Sequence, residues 1–511
     1  MVTHEIFEVS SLFQVVATMA AIRAEVVSTP QAHRTLLICN NALIPELTHG
    51  LRESSIIENA GEFFDSVVYF NELTYPLGPS DFSPADKDLP LLKALLQHYL
   101  DIPHSAKVVL YLESIQANPA RALARVFHEA ELIIHADGLM VYGPARAQLP
   151  PAITSRISTV LYPEFIPGLR PLLVTAPTAQ YVAVGLDHLR EAVSLCAPPQ
   201  RGESHPTGEY ALVLGQYLAT LNLLTPAEEL DLTFEMITRA HEETGLPVVF
   251  KAHPSSPRTS TLRLERSARD SHIPLTIDHT DTIAEVLFAH KPPQLVVSAF
   301  STALATAYFG YHIPVLGVGT ELLLERFTPY QNSNRIPATI IDALFGDAPM
   351  QDPSNPALPI GMLRGAPPDP TPRRTTNSTT PHNTTPHWQP ELNQLVRAVA
   401  YACQPDANPQ LLPAAREYVQ GHTQLVENHA HHQPIPLWRR YIKKKRAQAA
   451  GIIPTGSPAH TGRTALRTAG YKRKIRALLP NRVITTLTNS RAPKGASQTQ
   501  HNQTQHKESQ L

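Results

Sequence analysis

Short runs of Val, Ile and Leu recur through the first 320 residues, each followed by an amphipathic stretch, and this alternation constrains the fold more than any other feature. The runs fall at residues 6–9, 35–39, 66–70, 107–112 and 131–135. Between them, residues 12–24 and 90–100 have helical spacing, and Asn118-Pro119 signals a helix over 120–129. Strand alternating with helix predicts a parallel sheet with helices on both faces. After a joint at 197–208 that contains Pro, Gly and Ser, the pattern restarts with strands expected at 210–215, 248–251, 275–278, 295–298 and 313–318. Thr225-Pro226-Ala227-Glu228 supplies an N-cap, a proline at the first helical position and an acidic first turn for a helix running to about 244. Further helices are expected at 281–290 and 301–309.

A length of 511 residues fits two or three domains. The expected division is an α/β domain at 1–205, a second at 206–352, a Pro/Thr/Asn-rich low-complexity linker at 353–390, helices packing back on the core at 391–433, and a basic, largely disordered tail at 434–511. The net charge of −1 conceals an asymmetry: residues 438–494 hold 15 Lys or Arg and no acid, leaving 27 basic against 43 acidic residues in 1–437. Such a tail points to an anionic surface, and a membrane leaflet is the expected partner, with no specific nucleic acid. Three cysteines without Cys-x-x-Cys spacing argue against a disulfide framework or a zinc site. The amino terminus lacks a basic, then apolar, leader, so the body is expected in the cytoplasm, peripheral on the inner face of the plasma membrane through its tail. The longest uncharged run, 292–320, carries His312 and Pro314 and reads as strand, helix and strand rather than a membrane span.

Three constellations carry chemistry. Phe250-Lys251-Ala252-His253-Pro254 sets a lysine and an imidazole at the carboxyl end of a strand, where parallel sheets bind ligands, and both can neutralise phosphate charge; a surface His before a turn-forming Pro is the ordinary alternative. Ser298-Ala299-Phe300-Ser301-Thr302 turns a buried strand into a helix through hydroxyl residues, which suits an anion, although Ser298 or Ser301 serving only as a cap explains the same letters. His135-Ala136-Asp137-Gly138 ends a strand of the first domain with an acid able to take a proton from an attacking hydroxyl, and Asp-Gly is equally an ordinary turn. Gly138, Tyr142 and Arg146 are candidates for the acceptor side, and Gln216 and Tyr217 for nucleotide contact. There is no Asp-x-Asp motif, P-loop or Gly-x-Gly-x-x-Gly loop, and no metal or cofactor is expected.

The order and placement of these motifs resemble the bacterial sialyltransferase and polysialyltransferase families, which share an acidic-acidic-Gly motif, then His-Pro, then Ser-Ser/Thr. Here they stand as Ala136-Asp137-Gly138, His253-Pro254 and Ser301-Thr302, and residues 7–14 look like that family's first strand-turn-helix. The similarity covers about residues 5–320, with Ala136 departing from the first acidic position. The resemblance implies a GT-B fold, two Rossmann-like domains facing a cleft. It implies inverting transfer of a sialic-acid-like sugar from a CMP donor to a polysaccharide or glycolipid acceptor. Asp137 would be the base and His253 would act on the phosphate, with Ser301 and Thr302 holding the donor. Lys251 before His253-Pro254 is also similar to the CDP-glycerol glycerophosphotransferases of teichoic acid synthesis, and a non-catalytic GT-B-like scaffold with a membrane- or nucleic-acid-binding tail is a further alternative.

Overall fold

The computed structural model describes residues 2–41 (except 28 and 30), 50–145, 148–196 (except 175, 177 and 178), 208–253, 258–280, 282–346 and 388–421. The expected linker core and the basic tail lie outside these residues.

Two all-parallel sheets form the frame. The first contains β1 (Thr3–Val9), β2 (His33–Ile38), β3 (Ser66–Tyr69), β4 (Lys107–Leu112), β5 (Glu131–His135), β6 (Ile157–Pro163) and β7 (Gln180–Val184), in the order β3-β2-β1-β4-β5-β6-β7. The second contains β8 (Ala211–Leu214), β9 (Val248–Lys251), β10 (Leu275–Asp278), β11 (Leu295–Ser298) and β12 (Val315–Gly317), in the order β10-β9-β8-β11-β12. In each sheet the winding reverses beside the first strand, between β1 and β4 and between β8 and β11. Crevices that bind ligands open at the carboxyl ends of strands at such reversals.

The period of two along β1 sends Phe7 and Val9 into one apolar cluster and Ile6 into another, so the sheet is covered on both faces. Phe7 stacks on Tyr111 of β4 with ring centroids 4.0 Å apart. Helix α1 (Leu12–Arg23) follows β1 after a two-residue turn, with Ser11 as N-cap, and its buried residues close one of these clusters. The helix Pro226–Thr244 has the full capping box between Thr225 and Glu228. The helix Trp388–Cys403 bridges the two halves: Gln389 donates to the Pro167 carbonyl (2.6 Å), and Trp388 lies against Phe309 (5.9 Å between centroids).

Several elements have weaker sequence signals than these. The helix Arg335–Phe345 contains Pro337, which reads as a breaker, yet it sits in the first turn, where the N–H it lacks has no intrahelical partner. The helix expected at 301–309 forms as a short α-helical segment, Thr302–Ala305, that widens into a π-turn over Thr306–Gly310. Cys39, Cys196 and Cys403 are buried and free. No helix among the described residues is long and apolar enough to cross a membrane. The architecture is α/β of the GT-B type, with the carboxyl ends of both sheets contributing to one cleft.

Candidate active site

A cavity of about 290 Å³ lies in this cleft. From the side of the first sheet it takes Phe13 of α1 and Asp137 beyond β5. The second supplies Gly215 after β8, Lys251 to His253 at the end of β9, Thr280 and Thr282 to Glu285 after β10, and Ser301 to Ala303 after β11. Asp137, Lys251, His253, Ser301 and Thr302, separated by up to 165 positions in the chain, thus share one wall system.

Asp137 stands two residues beyond β5. Its Oδ2 accepts a hydrogen bond of 2.8 Å from Nε2 of Gln14, which lies in the first turn of α1. Two more carboxyls lie near it on neighbouring strands. Glu8 of β1 is buried and accepts from the backbone N–H of Glu113, immediately after β4, at 3.0 Å. Burial pushes Glu8 up to about 7, against the opposing backbone hydrogen bond and helped by the charge of Asp137. Burial likewise raises Glu113, with Asp137 and then Glu8 adding to the effect. His135 sits behind them, its Nε2 2.7 Å from the Glu8 carbonyl, a contact that fixes the proton on Nε2. Burial lowers its basicity.

Among the lining residues from the second sheet, burial drives His253 down to about 4, so at neutral pH it is an uncharged hydrogen-bonding ring until an anion comes beside it. Tyr217 packs on that ring with centroids 4.1 Å apart. Ser301 caps its own helix by accepting from the Ala303 N–H (3.3 Å), which leaves the hydroxyl hydrogen to donate. Thr302 accepts from the Leu139 N–H across the cleft at 3.1 Å. Gly138 permits this approach, because a Cβ there would stand 3.1 Å from the same Thr302 oxygen. Gly215 is required by another close approach: a Cβ would meet the Phe250 ring at 2.8 Å.

Some sequence candidates have other duties. Lys251 lines the cavity, but its ammonium donates to Asp278 (3.0 Å), the Thr280 carbonyl (2.8 Å) and the Thr280 hydroxyl (3.4 Å), so it anchors the loop after β10. Burial alone would raise Asp278; Lys251 and hydrogen bonds with Thr280 bring it below its ordinary value. Ser298 is 0% exposed and donates to the Leu214 carbonyl (3.0 Å), stapling β11 to β8 rather than facing the cavity. Tyr142, also 0% exposed, accepts from the Ile166 N–H (3.1 Å) inside the core, not on an acceptor surface. Gln216 accepts from the Phe300 N–H (3.2 Å) and so braces the turn before Ser301. Pro254 and Arg146 lie outside the described residues.

Glu8, Gln14, Glu113, Thr280, Thr282 and Glu285 are site residues that the sequence reading did not single out. Glu8 had a signal, since an acid inside a strand buried on both faces needs a reason. Gln14 had one too, in the Ser-x-x-Gln spacing of a capping box. Glu285 accepts from the Thr306 hydroxyl (3.0 Å), and burial raises its pKa.

Comparison with curated proteins finds none that matches. Among solved structures the chain is similar to the UDP-GlcNAc 2-epimerase from Methanocaldococcus jannaschii, at 12% identity over 62% of this chain and 83% of that one, with a TM-score of 0.37. It is similar to Acinetobacter baumannii MurG at 11% identity over 86% and 99% of the two chains, with a TM-score of 0.35. For Medicago truncatula UGT71G1 complexed with UDP-glucose the values are 9%, 67%, 90% and 0.33. A sequence model of the alpha-2,8-polysialyltransferase (POLYST) family matches residues 5–320, a span that includes the whole cavity from Phe13 to Ala303, and the chain belongs to that family of glycosyltransferases.

Proposed function

We propose that the protein transfers a sialic-acid-like sugar from a CMP-activated donor to a hydroxyl of a surface polysaccharide or glycolipid, with inversion and without a metal. The observation that carries this reading is the cavity that Asp137, beyond a strand of the first sheet, shares with His253, Ser301 and Thr302 at the strand ends of the second.

In the proposed step the acceptor oxygen forms a bond to the anomeric carbon as the bond from that carbon to the CMP phosphate oxygen breaks. The hydroxyl proton passes to Asp137, and the electron pair of the broken bond leaves on the phosphate. Attack from the side opposite the leaving group inverts the centre. His253 and the hydroxyls of Ser301 and Thr302 hydrogen-bond the phosphate where negative charge develops. A phosphate beside the buried imidazole favours its protonated form, so the ring gains a proton as the donor binds or the nucleotide departs.

Incubation with CMP-sialic acid or with CDP-glycerol, each with a glycan acceptor, tests the donor by CMP release. The expected result is release from CMP-sialic acid only, unchanged by a chelator. Release from CDP-glycerol alone, or loss of turnover with chelation, contradicts the proposal.

A further inference from the structure

We propose that Gln14 is the positioning residue for the base: its amide fixes one oxygen of the Asp137 carboxylate and turns the other toward the acceptor hydroxyl. This rests on the reading of Asp137 as the base.

Gln14 is 3% exposed and is held at both ends. Its Oε1 accepts from the Ser10 backbone N–H at 2.5 Å and lies 3.2 Å from the Ser10 hydroxyl. With the carbonyl end claimed by these donors, the amide group is the end that reaches Asp137 Oδ2, at 2.8 Å. The side chain cannot be flipped without setting its carbonyl against the carboxylate and its amide against the Ser10 N–H. Its backbone is equally fixed, since the Gln14 N–H bonds the N-cap Ser11 hydroxyl (3.3 Å). Orientation of Asp137 is therefore inherited from the turn between β1 and α1. One carboxylate oxygen is occupied, which leaves Oδ1 as the proton acceptor.

The surroundings make that control consequential. Asp137 is faced by Glu8 from β1, Glu113 beyond the end of β4 and His135 at the end of β5, while Lys251, His253 and Glu285 share its cavity. Of Asp137, Glu8 and Glu113, only Asp137 receives an amide hydrogen from Gln14. Burial holds Glu8 and Glu113 toward their protonated forms. An amide at position 14 thus selects which carboxyl of the group faces the reaction as an acceptor.

The test uses the full chain carrying Gln14→Glu and Gln14→Leu, beside wild type and Asp137→Asn, with CMP-sialic acid and a glycan acceptor. Gln14→Glu retains the shape and an acceptor for Ser10 but, once ionised, offers no hydrogen to Asp137. We expect kcat to fall roughly 10- to 100-fold in both variants, with the donor KM unchanged. The acid limb of the Gln14→Glu rate profile should move to higher pH, because a second carboxyl replaces the donor. If wild type releases CMP and Asp137→Asn does not, while both Gln14 variants keep the wild-type kcat and pH profile, the positioning role is overturned and the base assignment stands. An Asp137→Asn enzyme as fast as wild type overturns both. Should Gln14→Leu fold poorly, Gln14→Glu with a wild-type unfolding midpoint decides the matter alone.

Discussion

At the scale of single residues, the site depends on carboxyls and imidazoles placed where water is scarce. Glu8 is the clearest case. Its folded-state value lies near 7 against an ordinary 4.5, chiefly through burial. A carboxyl raised on folding contributes stability that is complete below the unfolded-state value and is lost as pH rises through the folded one, here between 4.5 and about 7. Glu8→Gln removes that dependence while keeping size and an acceptor for the Glu113 N–H. From pH 5 to 8 the stability of the variant relative to wild type should therefore improve, by at most about 3 kcal/mol. His4 and His253, both lowered by burial to about 4, contribute stability that is present above 6.5 and lost toward pH 4. They are common to both proteins and cancel. Urea unfolding of the pair at several pH values measures the difference; a gap that stays constant contradicts the placement of a protonated Glu8.

Elements decide how those residues meet. Strand ends at β8 and β9 approach closely only because position 215 has no side chain, the Phe250 ring filling the space a Cβ would take. Gly215→Ala should destabilise the protein by about 1–3 kcal/mol, since Phe250 is buried and has little room to turn. It should also raise the donor KM, because Lys251 to His253 continue directly from that ring. Denaturant unfolding and donor titration check both; a variant as stable as wild type contradicts the close approach. The expected strands 248–251, 275–278 and 295–298 coincide with β9, β10 and β11, because each is a β-branched run bounded by turn or polar residues. Edge strand β7 is less legible: Gln180 and Ala183 are exposed, so its pattern resembles loop. Helix Arg335–Phe345, with Pro337, hid its start for the reason given above, yet its Ile336 is what packs against Gly143.

Across the whole molecule, the motifs at 137, 253 and 301–302 were legible as residue types at the carboxyl ends of strands, and parallel topology then brings such ends to one cleft. Duties set by tertiary partners were not legible. Nothing local in Ser298 or Tyr142 shows that the hydroxyl of one staples two strands, or that the other is enclosed in the core. The tie between Leu139 and Thr302 likewise depends on how the two sheets face each other, 163 positions apart in the chain.

Division of labour across that cleft is the central claim, and donor binding measured beside turnover tests it most directly. Asp137→Asn should bind CMP-sialic acid as wild type does while its transfer rate falls by roughly 10²- to 10⁴-fold. His253→Ala should weaken donor binding and slow transfer together. An Asp137→Asn protein that transfers sugar at the wild-type rate, or a His253→Ala protein with unaltered donor affinity and rate, would contradict a base on the first sheet working against a phosphate site on the second.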